Sequence, residues 1–229
     1  RDPSCMIFNQ FAEMGNHLWH YKVTGAAVAE AFEDAKRPGD RLAGACFTSG
    51  SAGTIGCGDY LKEVYPAMKL AVGEAVQCPT ILNNGFGDQR VEGIGDKHVP
   101  WIHDVKNTDM VVDVDDNDAM ALLRLFNEPA GKAQLMDAGV DPQLVEQLSL
   151  MGISGIANVL CCIKLAKYYE LTGHDVVCTV LTDSADMYRS RLAELTQQLG
   201  EYDAKAAAYD FALHLMGLKT DCMAELGYY

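Results

Sequence analysis

Apolar residues in this chain fall into two kinds of run, and the two alternate along its length. Short, nearly continuous runs read as buried strands: Cys5 to Phe8, Leu42 to Phe47, Lys69 to Glu74, Met110 to Val114 and Asp175 to Leu181. Between them, apolar residues three and four apart predict helices. One covers His17 to Lys36, with Trp19, Val23, Ala27 and Phe32 near one face, and is broken by Arg37-Pro38-Gly39-Asp40. Another runs from Asp59 to Tyr65 and stops at Pro66. Cys78-Pro79-Thr80 starts a short helix or turn, and glycine-punctuated turns follow from Asn83 to Asp96. The acids Asp115, Asp116 and Asp118 suit the start of a helix over Ala119 to Asn127. Pro129 to Asp141 is polar with two glycines, and Pro142 to Leu150 reads as helix. A long helix over Ile156 to Leu171 closes at Thr172-Gly173, and Tyr188 through Met216 is mostly helical. This alternation predicts an α/β fold with a largely parallel sheet. Ligands of such sheets sit beyond the carboxyl ends of the strands, here at the loops after Phe47, near Ser154 and after Leu181.

The first of those loops, Thr48-Ser49-Gly50-Ser51-Ala52-Gly53-Thr54-Ile55-Gly56-Cys57-Gly58, lies between a strand and a helix. Small residues let the backbone approach an anion, and the helix's first N–H groups then point at it. The hydroxyls of Ser49, Ser51 and Thr54 add donors. No Gly-Lys-Ser/Thr follows, so this is not a Walker loop. An ordinary glycine-rich turn is one alternative. A dinucleotide fold is another, since Gly50, Gly53 and Gly56 are evenly spaced and Glu74 falls where a ribose-binding acid would.

Composition narrows the partners. With a net charge of −14, a nucleic-acid or anionic-membrane partner, either of which would want a basic patch, is not expected, and an anionic ligand must be held by local dipoles. Eight cysteines carry no Cys-x-x-Cys pair and no zinc spacing, which reads as free thiols in a reducing, cytoplasmic setting. Cys57, just past the loop, is the thiol closest to the candidate chemistry. The N-terminus shows no signal peptide, and the longest near-apolar stretch, Met151 to Ile163, is too short to span a bilayer. The opening Arg1-Asp2-Pro3 lacks an initiator methionine and reads as a cut or internal start.

Several segments, in order, resemble the cysteine synthase and cystathionine β-synthase branch of the fold-type-II pyridoxal-phosphate enzymes. Asn9-Gln10-Phe11, His20-Tyr21 and Thr24-Gly25 resemble its Gln-Phe…His-Tyr-x-Thr-Thr-Gly segment. Gly50-Ser51-Ala52-Gly53-Thr54 resembles its Gly-Thr-Gly-Gly-Thr phosphate loop, with Tyr60-Leu61-Lys62-Glu63 and Pro66 following as they do there. Glu92-Gly93-Ile94-Gly95, Gly152-Ile153-Ser154-Gly155, and Leu181 with Asp183-Ser184, Tyr188 and Ser190 resemble three further segments, so the match runs from about residue 5 to 190. The resemblance implies a three-layer sandwich like the tryptophan synthase β-subunit. Residues 1–229 would form one domain, incomplete without its N-terminal half, with a helical extension from about residue 190.

The resemblance also implies residue roles. Gly50, Ser51, Ala52, Gly53 and Thr54 would hold the cofactor phosphate. Ser154 would meet the pyridine nitrogen, with Ser184 its rival. Gln10 would help hold the substrate carboxylate, and Gly93 belongs to a segment closing over it. Each has a bland counterpart: Ser154 as a helix N-cap, Gln10 as a strand-end polar residue, Gly93 as a turn, His20 and Tyr21 as packing residues. Ala52 requires a negative φ to avoid strain. The family's cofactor-bearing lysine has no equivalent before Asn9, the first lysine being Lys22, and its Ser/Thr-Gly-Asn substrate loop is absent. No catalytic residue is therefore assigned in this chain, and no metal site. The stretch from Pro129 to Leu150 is an insertion relative to the family. The expected function is β-elimination or β-replacement on a serine-like amino acid, by an oligomer in which an N-terminal half, on the same or a separate chain, supplies the lysine. The alternatives are a non-catalytic phosphate-ligand or assembly module and a nicotinamide-dependent oxidoreductase.

Overall fold

Four of the apolar runs lie side by side in one sheet, seen in a computed structural model that describes residues 2–227. Strands β1 (Arg41–Thr48), β2 (Lys69–Ala75), β3 (Met110–Val114) and β4 (Asp175–Cys178) are parallel. A short β5 (Met223–Glu225) adds antiparallel to β3, giving the order β4-β1-β2-β3-β5. Helix α1 (Met14–Trp19), a π-helical turn (His20–Thr24) and α2 (Gly25–Ala35) precede the sheet as one continuous helical stretch. Helix α3 (Ile55–Val64) joins β1 to β2, and a short α4 (Thr80–Asn83) follows β2. Between β3 and β4 come α5 (Asp116–Asn127), α6 (Pro129–Asp137), α7 (Pro142–Gln147) and α8 (Ile153–Tyr168). Helices α9 (Arg189–Leu199) and α10 (Ala204–Asp210) lead to β5.

Alternation along the strands divides the core into two layers, as the pleat requires. Ala45, Phe47, Leu70, Val72 and Val111 point to the face covered by α2 and α3, where they meet Phe32, Ile55 and Leu61. Cys46, Ala71, Met110 and Val112 point the other way, onto Leu122, Ile156 and Leu160 of α5 and α8. Helices on both faces of a mostly parallel sheet make the three-layer α/β sandwich expected from the sequence.

Several expectations change in detail. Cys5 to Phe8 forms no strand: Met6, Ile7 and Phe8 are 78%, 80% and 85% exposed, with no neighbouring strand to share a ladder. The first helical stretch does not bury Trp19, Val23 and Ala27 but His17, Gly25, Ala29 and Phe32. It docks on α3 through a glycine, since a Cβ on Gly25 would sit 2.7 Å from that of Tyr60. A count of apolar residues misses such a contact. Helix α3 begins at Ile55 rather than Asp59, absorbing Gly56, Cys57 and Gly58, so the loop ends at Thr54. Pro129–Asp137 is helical, capped by Pro at its first turn. The C-terminal extension is not wholly helical, because β5 completes the sheet edge.

Candidate functional site

Strand order alone points to the site. The chain moves from β1 to β2 to β3 in one direction, then returns to place β4 on the other side of β1. Where the winding reverses, the loops leaving two adjacent strands diverge and leave a crevice beyond their carboxyl ends. A cleft of about 210 Å³ opens there, between the loop after β1 and the segment after β4. Its lining includes Gln10, every residue from Gly50 to Thr54, Gly93 and Ser154. Residues from five separated parts of the sequence therefore converge on one place. Ser184 does not line it; it precedes the 3₁₀ turn Ala185–Tyr188, and Thr182 takes the position in the cleft instead.

The loop is built to present donors. The N–H of Ser49 is used by the Gly73 carbonyl at 3.0 Å, and Ile55, Gly56 and Cys57 donate to Ala52, Gly53 and Thr54. Among the described residues, the N–H groups from Gly50 to Thr54 donate to no acceptor within the chain. Unpaired backbone donors at the start of α3, with the helix dipole behind them, are the groups an anion would use. The only titratable side chain in the lining is His20, so no fixed cation assists. Burial and the nearby His17 hold the His20 imidazole below its usual range, and its Nδ1 lies 2.9 Å from Thr24 Oγ1. His20 thus edges the cleft as a neutral ring, whereas Tyr21 packs edge-on against Tyr60 and donates to Glu63.

Three supports were not singled out in the sequence. Asn16 donates from Nδ2 to the Gln10 carbonyl and to Ser51 Oγ, both at 3.1 Å, tying the N-terminal segment to the loop. Its amide lies against Gly53 so closely that a Cβ there would fall 2.3 Å from Asn16 Oδ1. Across the cleft, buried Asn158 accepts from the Thr48 N–H at 2.7 Å and donates to the Val180 carbonyl at 2.9 Å, clamping both strand exits to α8. The third is Thr182, whose Oγ1 is 3.2 Å from Ser154 Oγ. Ser154 is not the N-cap of α8; Gly152 holds that position, leaving the Ser154 hydroxyl to the cleft. No signal of spacing marks Asn16, Asn158 or Thr182, since each acts through tertiary contacts.

Ala52 contradicts the requirement for a negative φ. It is buried, with φ at +64°, in the left-handed region that disfavours a Cβ. Glu74 is not free for a ribose: its carboxylate accepts from the Ile81 N–H at 2.7 Å and the Leu82 N–H at 3.0 Å, anchoring α4. Cys57 is fully buried and burial pushes its thiol up to about 12, which removes it as a nucleophile. All eight cysteines are free, though Cys5 and Cys222 are exposed rather than buried. No lysine lines the cleft. Among the described residues no cluster of metal-ligating side chains occurs, and no helix is long and apolar enough to cross a membrane.

No family model matches the sequence. Over 210 residues, 89% of this chain and 56% of the other, it is 27% identical to cysteine synthase 3 of Caenorhabditis elegans. Over 200 residues, 84% and 36% of the two chains, it is 27% identical to cystathionine β-synthase of Saccharomyces cerevisiae. The chain is a distant homologue of these enzymes. Its fold matches the crystal structure of O-acetylserine sulfhydrylase isoform 3 from Entamoeba histolytica with a TM-score of 0.66 at 22% identity, covering 90% of this chain and 53% of that one. This cysteine synthase homologue therefore has the fold of the fold-type-II pyridoxal-phosphate enzymes. It spans about half the length of the curated relatives it matches.

Proposed function

We propose that this chain supplies the phosphate and pyridine sites of a pyridoxal-phosphate-dependent lyase or transferase acting by β-elimination or β-replacement on a serine-like amino acid. Its homology to cysteine synthases and cystathionine β-synthase supports the reaction class. The observation that carries the reading is the set of unpaired N–H groups from Gly50 to Thr54 sharing one cleft with the Ser154 and Thr182 hydroxyls. The donor chemistry supports the same reading. A phosphate dianion needs several donors in place of a fixed cation, and this loop offers them unspent.

Each residue then has a stated task. The loop from Gly50 to Thr54 binds the phosphate through backbone N–H groups and the Thr54 hydroxyl. Asn16 and Asn158 hold that loop and the opposite wall at a fixed distance. Ser154, paired with Thr182, offers the ring nitrogen a neutral hydroxyl, which donates or shares one hydrogen bond and adds no charge. Ser184 does not line the cleft. Gln10 and the Gly93 segment border the space left for the amino acid, and the segment is pinned by the Gly95 N–H on the Ser49 carbonyl at 2.9 Å. When bound, the cofactor supplies an electron sink that loosens the α-proton and lets a β-substituent leave. The lysine that carries it and moves that proton comes from outside these residues, from an N-terminal half on the same or another chain, in an oligomer. The free thiols accord with a reducing, cytoplasmic setting.

Thr54→Ala tests the reading without turnover. Loss of a hydrogen bond to a charged group is worth about 1.5–3 kcal/mol, so pyridoxal-phosphate binding by equilibrium dialysis weakens about 10- to 100-fold while circular dichroism is unchanged. Unaltered affinity removes the loop from the account. The absence of a lysine from the cleft favours one second reading, a non-catalytic ligand-binding module. Binding without turnover in the presence of a complementary N-terminal half would establish it. The nicotinamide reading loses its ribose acid, since Glu74 is committed to α4.

A further inference from the structure

Arg124, on α5, is a buried cation, 3% exposed, with no carboxylate in ion-pair range among the described residues. Its Nη2 donates to the Gly200 carbonyl at 2.8 Å, and the guanidinium lies 4.6 Å from the centre of the Tyr202 ring. Its Nε is fully buried and has no acceptor at all. A buried charge is expensive unless it is paired and its donors are met, and one carbonyl with one aromatic face does neither fully. The neighbouring charges are already committed. Arg90 lies 3.7 Å from Asp116 and bonds Asn117 Oδ1, while His214 Nδ1 is held by Asp118 at 2.6 Å. Asp210 takes the Tyr202 hydroxyl at 2.9 Å and lies 4.0 Å from His214 Nε2; it feels the Arg124 charge but forms no ion pair with it.

Arg124 forms part of the lining of a cavity of about 410 Å³ between α5, α9 and the helical segment after α10. Met120, Leu195, Leu199 and Leu213 supply apolar walls. No residue lines both this cavity and the cleft beyond β1 and β4, so the cofactor reading does not use it. Arg90, His214 and Asp210 line the same hollow, so a guanidinium at its wall, with two further basic groups against one carboxylate, matches an acid group carried on a greasy body. We infer that this cavity binds a small organic carboxylate, its anionic end on Arg124 and its apolar body against Met120, Leu195 and Leu213.

The test is a ¹H–¹⁵N NMR titration of the full chain with hexanoate. The expected result is a saturable shift of the Arg124 Nε–H resonance and of amides on α5 and α9. Each added methylene buried is worth about fourfold in affinity, so hexanoate, with two more, binds roughly 15-fold more tightly than butanoate. Hexylamine, with the same body and the opposite charge, causes no such shift. Arg124→Met abolishes the effect. Leu199 is 69% exposed at the rim, so Leu199→Glu leaves the fold intact and weakens hexanoate about fivefold at low salt by repulsion. No saturable shift in the parent chain, equal binding of hexylamine, or unchanged affinity in Leu199→Glu overturns the inference, and the last holds even if Arg124→Met fails to fold.

Discussion

At the scale of single residues, the candidate site holds one strained position. Ala52 adopts a left-handed backbone with φ at +64° inside the loop that would face the phosphate. An L-residue with a Cβ costs about 1–2 kcal/mol there, whereas glycine does not. Ala52→Gly should therefore raise stability by about 1 kcal/mol, seen as an increase of about 2–4 °C in Tm. An unchanged or lower Tm would mean that packing of the Ala52 methyl, buried against its neighbours, outweighs the strain. The residues that form the donor loop were legible in the sequence because small residues between a strand and a helix are a local signal. Gln10, Gly93 and Ser154 were legible only through the family resemblance. Asn16, Asn158 and Thr182 were not, because an amide or hydroxyl that bridges distant segments leaves no pattern along the chain. Thr182 rather than Ser184 lines the cleft for a related reason: two residues along an irregular segment decide which hydroxyl reaches it.

Among elements, strands were read most faithfully. Met110–Val114 and Lys69–Ala75 follow nearly continuous apolar runs of the kind a doubly covered strand carries. Cys5 to Phe8 has the same local character and forms nothing, since a strand exists only with a partner. The β2–β3 register has an energetic consequence. It sets Glu74 beside Asp113, two buried carboxyl groups on adjacent parallel strands. Burial, and then the Glu74 charge, push the Asp113 carboxyl up to about 8. A folded-state value above the unfolded one means the protonated form belongs to the native state. The associated stability is complete below the unfolded value and is lost as pH rises toward about 8. Stability measured by urea unfolding should thus decline between about pH 5 and pH 8, and Asp113→Asn should flatten that decline and be the more stable protein at pH 8. A variant whose profile matches the parent's would show that Asp113 is ionised at no cost in the folded chain.

For the whole molecule, topology decides where chemistry can occur. Returning β4 to the far side of β1 opens the only switch point among the described parallel strands, and every residue assigned to the cleft lies around it. The chain's charge of −14 would repel an anion, so retention of a phosphate must be local, through dipoles at the start of α3. That locality makes one measurement decisive. In ¹H–¹⁵N spectra of the chain titrated with pyridoxal phosphate, the amide resonances of Gly50 to Thr54 should move downfield together, as N–H groups do on meeting an anion, with Ser154 and Thr182 perturbed at the same concentrations. Saturable binding that leaves those amides unmoved, or that shifts the loop without Ser154, would contradict the assignment of both ends of the cofactor to this one cleft.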